Sequence, residues 1–118
     1  MEEEKLTKEE LSGFTGTQQY HRLTMLPLNC TDGVAYVAEK GKAFWLMDAI
    51  ASYQTRALVE AYPFQVWKLT VEGTKGVLVM EDQDGHAVKR QNIPYTDFPL
   101  KEITLYLTNN VLLLPSEY

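Results

Sequence analysis

The sequence predicts an α+β domain, with N-terminal helices packed on one face of a four- or five-stranded antiparallel β-meander. Three observations carry this expectation. Hydrophobic spacing is helical up to Pro63 and switches to period two directly after it. The pairs Asp84-Gly85 and Asn109-Asn110 stand between strand-like runs, where tight hairpins need residues that accept positive φ. A chain of 118 residues with 45% hydrophobic and 23% charged residues has the size and composition of one globular domain, residues 1–118. At this size folding buries roughly 65% of the unfolded surface, enough for a core without staples.

In chain order, residues 1–6 read as a flexible acidic arm. Glu2, Glu3, Glu4, Glu9 and Glu10 face only Lys5 and Lys8 over the first dozen residues, so most of the net charge of -5 belongs there. Thr7 and Glu10 form a capping box for a short helix over 8–12, which Gly13 can end. Residues 14–17 read as a turn with one buried aromatic, and 20–25 (YHRLTM) as a short strand. Pro27, Asn29 and Asp32-Gly33 punctuate a loop. Thr31 or Asp32 can cap a helix over 34–40 with Val34, Val37 and Ala38 on one face. Gly41-Lys42 then makes an αα corner.

The helix over 43–55 (AFWLMDAIASYQT) is the centre of the design. Leu46, Met47, Ile50, Ala51 and Tyr53 give it an apolar sector wider than the usual stripe of about 100°, which implies packing on two sides. Residues 56–61 either extend it or add a turn before Pro63 stops it. Beyond Pro63, residues 64–72 alternate, with Phe64, Val66, Lys68 and Thr70 on one side and Gln65, Trp67, Leu69 and Val71 on the other. Strands over 77–82, 87–93, 103–107 and 111–114 follow. Pro115 ends the last one, and the closing Pro115-Ser116-Glu117-Tyr118 reads as a tail that docks.

Candidate chemistry centres on the less apolar face of the 43–55 helix, where Trp45, Asp48, Ser52, Thr55 and Arg56 gather. Asp48 and Ser52 are i,i+4 neighbours. In one reading Asp48 is the acceptor or base of a polar site, with His21 as a further member. In the other it is a structural acid that fixes how the helix docks, since buried carboxylates need partners. The binding candidates are therefore Trp45, Asp48, Ser52, Arg56 and Trp67, the two tryptophans acting as interface anchors if they are exposed.

No catalytic residue is assigned. His21, Cys30 and His86 occur without paired-ligand spacing, which argues against a structural metal, and Asp82-Gln83-Asp84-Gly85 lacks the remaining carboxylates of a calcium loop. Neither Cys30 nor Ser52 lies in a nucleophile elbow. No Gly-rich phosphate loop is present, so no cofactor is expected. Lys89-Arg90 is too small a basic cluster for nucleic acid and suits an edge strand that resists pairing. A lone cysteine, an acidic start unlike a signal peptide and no apolar run of about 20 residues point to a soluble cytoplasmic protein without membrane contact.

Three segments, FWLMDAIASYQ at 44–54, YTDFPLKEITLY at 95–106 and VLLLPSEY at 111–118, carry a resemblance, joined by TKEELSGFTGT at 7–17 and TDGVAYVAEKG at 31–41. Together they resemble a family of short bacterial proteins of unknown function, associated with cyanobacteria, plasmids and phages. The resemblance implies no activity, substrate or catalytic residue. Its setting on mobile elements implies accessory proteins that bind a host or rival component. The leading expectation is thus a non-enzymatic accessory or inhibitor-type protein that binds a protein partner. The alternative is a small enzyme or ligand-binding domain with a polar pocket around Asp48, Ser52 and Arg56. A third is nucleic-acid mimicry by the acidic arm. An open sheet edge would also allow a homodimer.

Overall fold

Among the described residues, threonine side chains cap α-helix starts at three places, and one start is uncapped. The computed structural model describes residues 6–22 and 28–118. Thr7 accepts from Glu10 N–H and starts α1 (Lys8–Ser12). Thr31 accepts from Val34 N–H and starts α2 (Asp32–Lys40), which presents Val34, Val37 and Ala38 to the core. Gly41 closes α2 where a Cβ would meet Val37 O at 2.7 Å and the Phe98 ring at 2.9 Å, so only glycine fits the corner. Lys42 turns the chain with φ 53° into α3 (Phe44–Ser52).

The expected 43–55 helix stops early. Thr55 has ψ 158° and accepts from Leu58 N–H, so it caps a separate helix, α4 (Arg56–Ala61), instead of continuing α3. Capping by a hydroxyl outweighed a helical hydrophobic pattern that ran on through the break. Of the expected arm, residues 1–5 lie outside the described residues, and Leu6 is buried at 2% exposure. The strand expected over 20–25 falls partly outside them as well; its described part contributes one antiparallel bridge, His21 to Cys30.

The expectation of a four- or five-stranded antiparallel meander with all helices N-terminal is overturned. The strands are β1 (Asn29–Cys30), β2 (Phe64–Glu72), β3 (Lys75–Glu81), β4 (Ala87–Ile93), β5 (Glu102–Thr108) and β6 (Val111–Leu113), and they form one six-stranded mixed sheet in the order β1-β6-β5-β2-β3-β4. β1 runs parallel to β6, held by Asn29 N–H to Asn110 O and Thr31 N–H to Leu112 O, both 3.0 Å. Two residues carry no readable period, so this strand looked like loop.

β5 does not follow β4 across the sheet. The 94–101 connection crosses the sheet end, tied by Thr96 N–H to Thr74 O at 2.7 Å and by buried Phe98, and delivers β5 to the far side of β2. β2 therefore lies between β3 and β5, with antiparallel partners on both sides. Helices are interspersed rather than all N-terminal: β1 precedes α2, α3 and α4, and a 3-10 turn (Pro115–Glu117) follows β6.

Alternation then sorts the side chains. Gln65, Trp67 and Leu69 of β2, Leu78 and Met80 of β3 and Ile103, Leu105 and Leu107 of β5 are buried against the helices. Tyr53, at the end of α3, stacks on Trp67 with ring centroids 5.5 Å apart and donates to Gln91 on β4 at 2.8 Å. The opposite face carries Phe64, Val66, Lys68, Thr70, Val77, Val79 and Tyr106, which are half-buried or exposed; α1 meets its end where Lys8 pairs with Glu102. The Asn109-Asn110 turn has φ of 52° and 62° at its two residues, the left-handed pair that a two-residue hairpin requires.

Candidate functional site

The sequence-predicted polar site does not assemble. Asp48 is exposed on α3. Ser52 donates to Ala49 O at 2.6 Å, a bond within its own helix. Arg56, on the next helix and 92% exposed, pairs with Glu60 at 2.9 Å. Trp45 is half-buried against the core. Trp67 is 1% exposed, and its Nε1–H donates to Gln65 Oε1 at 2.8 Å; Gln65 in turn exchanges bonds of 2.9 Å with Gln54. Trp67 is thus a core residue with its one polar atom satisfied.

A second polar group surrounds the start of α2. Asp32 accepts from Gln18 N–H at 2.9 Å and lies 2.7 Å from His21 Nε2, while its own N–H donates to Thr17. The Gln18 amide, with help from His21, holds the Asp32 carboxyl below its usual range. On the other side, Glu117 accepts from Thr31 Oγ1 at 2.5 Å, Gly33 N–H at 3.2 Å and Leu114 N–H at 2.9 Å. Gly33 is what lets this tail close, because a Cβ there would meet Leu114 at 2.6 Å and Glu117 at 2.7 Å. Cys30 lies beside this group, 3% exposed, and burial with the nearby Glu117 and Asp32 charges pushes its thiol up to about 12. Such a thiol stays protonated and is a poor nucleophile. The whole group reads as a clasp that ties the start of α2 to the 17–21 segment on one side and to the tail after β6 on the other.

At the β3–β4 hairpin tip, Asp82, Asp84 and His86 could each offer one ligand atom to a cation, all within 4.8 Å of one another. Asp82 is committed to the turn: it accepts from the backbone N–H groups of Asp84 and His86, both at 2.9 Å, and these hold its carboxyl below the usual range. Asp84 and His86 are exposed. Near α1, Glu10 bonds Tyr36 and Lys40; the Tyr36 hydroxyl is the main cause of its lowered pKa.

Two surface features remain, and they adjoin. On the sheet face opposite Trp67, Phe64, Tyr106 and Tyr118 pack ring to ring, with centroids 5.3 Å (Phe64–Tyr106), 5.3 Å (Phe64–Tyr118) and 5.7 Å (Tyr106–Tyr118) apart. Tyr118 stands edge-on to the other two and is 75% exposed. Beside it, a groove of about 250 Å³ opens between α1, the start of β5 and the tail. Leu11, Leu100, Ile103 and Leu114 give it apolar walls, and Lys8 pairs with Glu102 at 3.2 Å beside it.

The family model for a family of unknown function, DUF6876, matches residues 5–118. The chain belongs to that family. Among curated proteins and solved structures no match was found for this DUF6876 chain. Its aromatic trio was missed by sequence reasoning, although period two already placed Phe64 on the Lys68 side, away from Trp67. The expected docking of residues 115–118 was the available signal.

Proposed function

We propose that this DUF6876 chain is a small non-enzymatic accessory or inhibitor-type protein that binds a protein partner through the face of its sheet opposite Trp67. The observation that carries this reading is the Phe64–Tyr106–Tyr118 trio, an aromatic patch in which half-buried Phe64 and Tyr106 support the exposed Tyr118 ring. Preorganised aromatic rings give contact area at low entropic cost, the usual make-up of interface anchors. The cytoplasm of a bacterium, on a mobile element, is the proposed setting. No helix of the described residues is long and apolar enough to cross a membrane.

The ligand-pocket reading has less support, because Asp48, Ser52 and Arg56 point to solvent or to their own helices. The test is quantitative affinity capture from host lysate with the native chain, with Phe64→Ser and with Tyr118→Ala, at two salt concentrations. A stoichiometric partner lost with either substitution, while both variants keep the native fold, supports the reading. A partner held equally by all three, or none held by the native chain, overturns it.

A further inference from the structure

The hydrogen-bond parity of β5 is fixed at both ends. Val71 N–H donates to Lys101 O at 2.7 Å, so odd-numbered residues of β5 exchange bonds with β2. The two-residue Asn109-Asn110 turn makes Thr108 and Val111 a hydrogen-bonded pair. Even-numbered residues therefore face β6. Thr108 and Tyr106 meet Val111 and Leu113 there. The next pair would set Thr104 against residue 115, but that residue is Pro115, which has no N–H and turns the chain into the 3-10 helix.

β6 thus ends while β5 continues. The backbone N–H and C=O of Thr104 and Glu102 point into the space where β6 would have run, and no backbone bond reaches them there among the described residues. That space is the 250 Å³ groove, whose wall includes Glu102, Ile103 and Thr104. It is smaller than the roughly 300–1,000 Å³ of a drug-sized ligand site. Two paired strand residues, at about 3.3 Å each, fit it better.

We propose that the groove is a strand-addition slot: a short extended segment of the partner protein lies along β5, exchanges backbone hydrogen bonds with Thr104 and Glu102, and sets an apolar side chain among Leu11, Leu100 and Leu114. This rests on the protein-binding reading and names the form the partner takes. The slot continues into the aromatic trio, because Thr104 and Tyr106 are successive residues of the same face and the tail that lines the slot ends in Tyr118. The Lys8–Glu102 pair at its mouth joins side chains 60% and 69% exposed, so displacing it costs little.

The other free edge, β4, differs. By the same parity Arg90 and Asn92 point their backbone outward. There Lys89 and Arg90 are exposed, and a second copy pairing antiparallel about the strand centre would set Arg90 against Arg90.

The test selects random linear heptapeptides displayed against the full chain, then follows backbone hydrogen exchange with the best binder. In the free chain Glu102 and Thr104 amides should exchange at least about tenfold faster than those of Ile103 and Leu105. The peptide should slow them by about tenfold or more and leave Arg90 and Asn92 unchanged. N-methylation at alternate peptide positions should abolish binding, with the positions between tolerant. Thr104→Pro, which removes an N–H aimed at the slot and none aimed at β2, should weaken the peptide about tenfold or more. The methylation series decides the matter even if that variant fails to fold. Protection confined to β4, or methylation tolerated at every position, overturns the slot. So does a selection that yields no binder. In each case the Phe64 and Tyr118 capture experiment judges the broader reading on its own.

Discussion

The two faces of the sheet are made by the same strands and do opposite things. On the helix side, Trp67, Leu69, Leu78, Met80 and Leu105 are each at 1% exposure or less. On the other side, neighbours one residue away stay half-buried or exposed, among them Val66, Lys68, Val79 and Tyr106. The first face is covered by α3 and its Tyr53–Trp67 contact; on the second, a tyrosine from the tail packs on Phe64 and Tyr106 at one end. Burial thus concentrates on one parity of β2 and β5, and substitutions on the other should be tolerated without unfolding the domain.

Breaking the covered face should have the largest effect. Trp67→Ala removes a fully buried ring and leaves Gln65 without its indole donor, so it should cost about 3–5 kcal/mol in chemical denaturation. Glu117→Ala deletes an acceptor of three hydrogen bonds at the clasp and should cost about 2 kcal/mol by the same measurement, although no α-helix or strand loses a residue. A smaller effect should appear with acid. Asp32, Glu10 and Asp82 all have folded-state values depressed below the ordinary carboxylate range of about 4. Their contribution is complete above that range and is lost as pH falls below it through the depressed folded values. Melting temperature should therefore drop below about pH 4, and Asp32→Asn should flatten part of that drop.

Breaking the open face should do the reverse. Tyr118→Ala should shift stability by no more than about 1 kcal/mol while abolishing partner capture. Arg56→Ala should change neither, staying within about 0.5 kcal/mol, because its pair with Glu60 is an exposed one. If Tyr118→Ala proved as damaging as Trp67→Ala, the division between the faces would fall.

Much of this sheet was legible. β2 and β4 begin and end where alternation and turn residues place them, and the left-handed Asn109 and Asn110 follow from asparagine's tolerance of positive φ. Strand neighbours were not legible, because alternation marks which face a residue takes and not which strand lies beside it. The step of β5 to the far side of β2 depends on the 94–101 connection, whose anchors Thr96 and Phe98 act through partners distant in sequence. The end of α3 was misplaced for a local reason: Thr55 reads equally as the last residue of one helix and the cap of the next. The groove was hidden because it is made of what Pro115 fails to do. Only a paired neighbour turns a missing N–H into an opening.

The chain's one thiol lies in the strand that bridges to His21 on one side and pairs with β6 on the other. With its acidity suppressed to about 12 and its sulfur shielded, Cys30 will react with an alkylating reagent only when β1 lifts from β6. Alkylation rate is then a built-in clock for that opening. A partner that docks on the tail should slow it, and one that binds elsewhere should leave it running at the same pace.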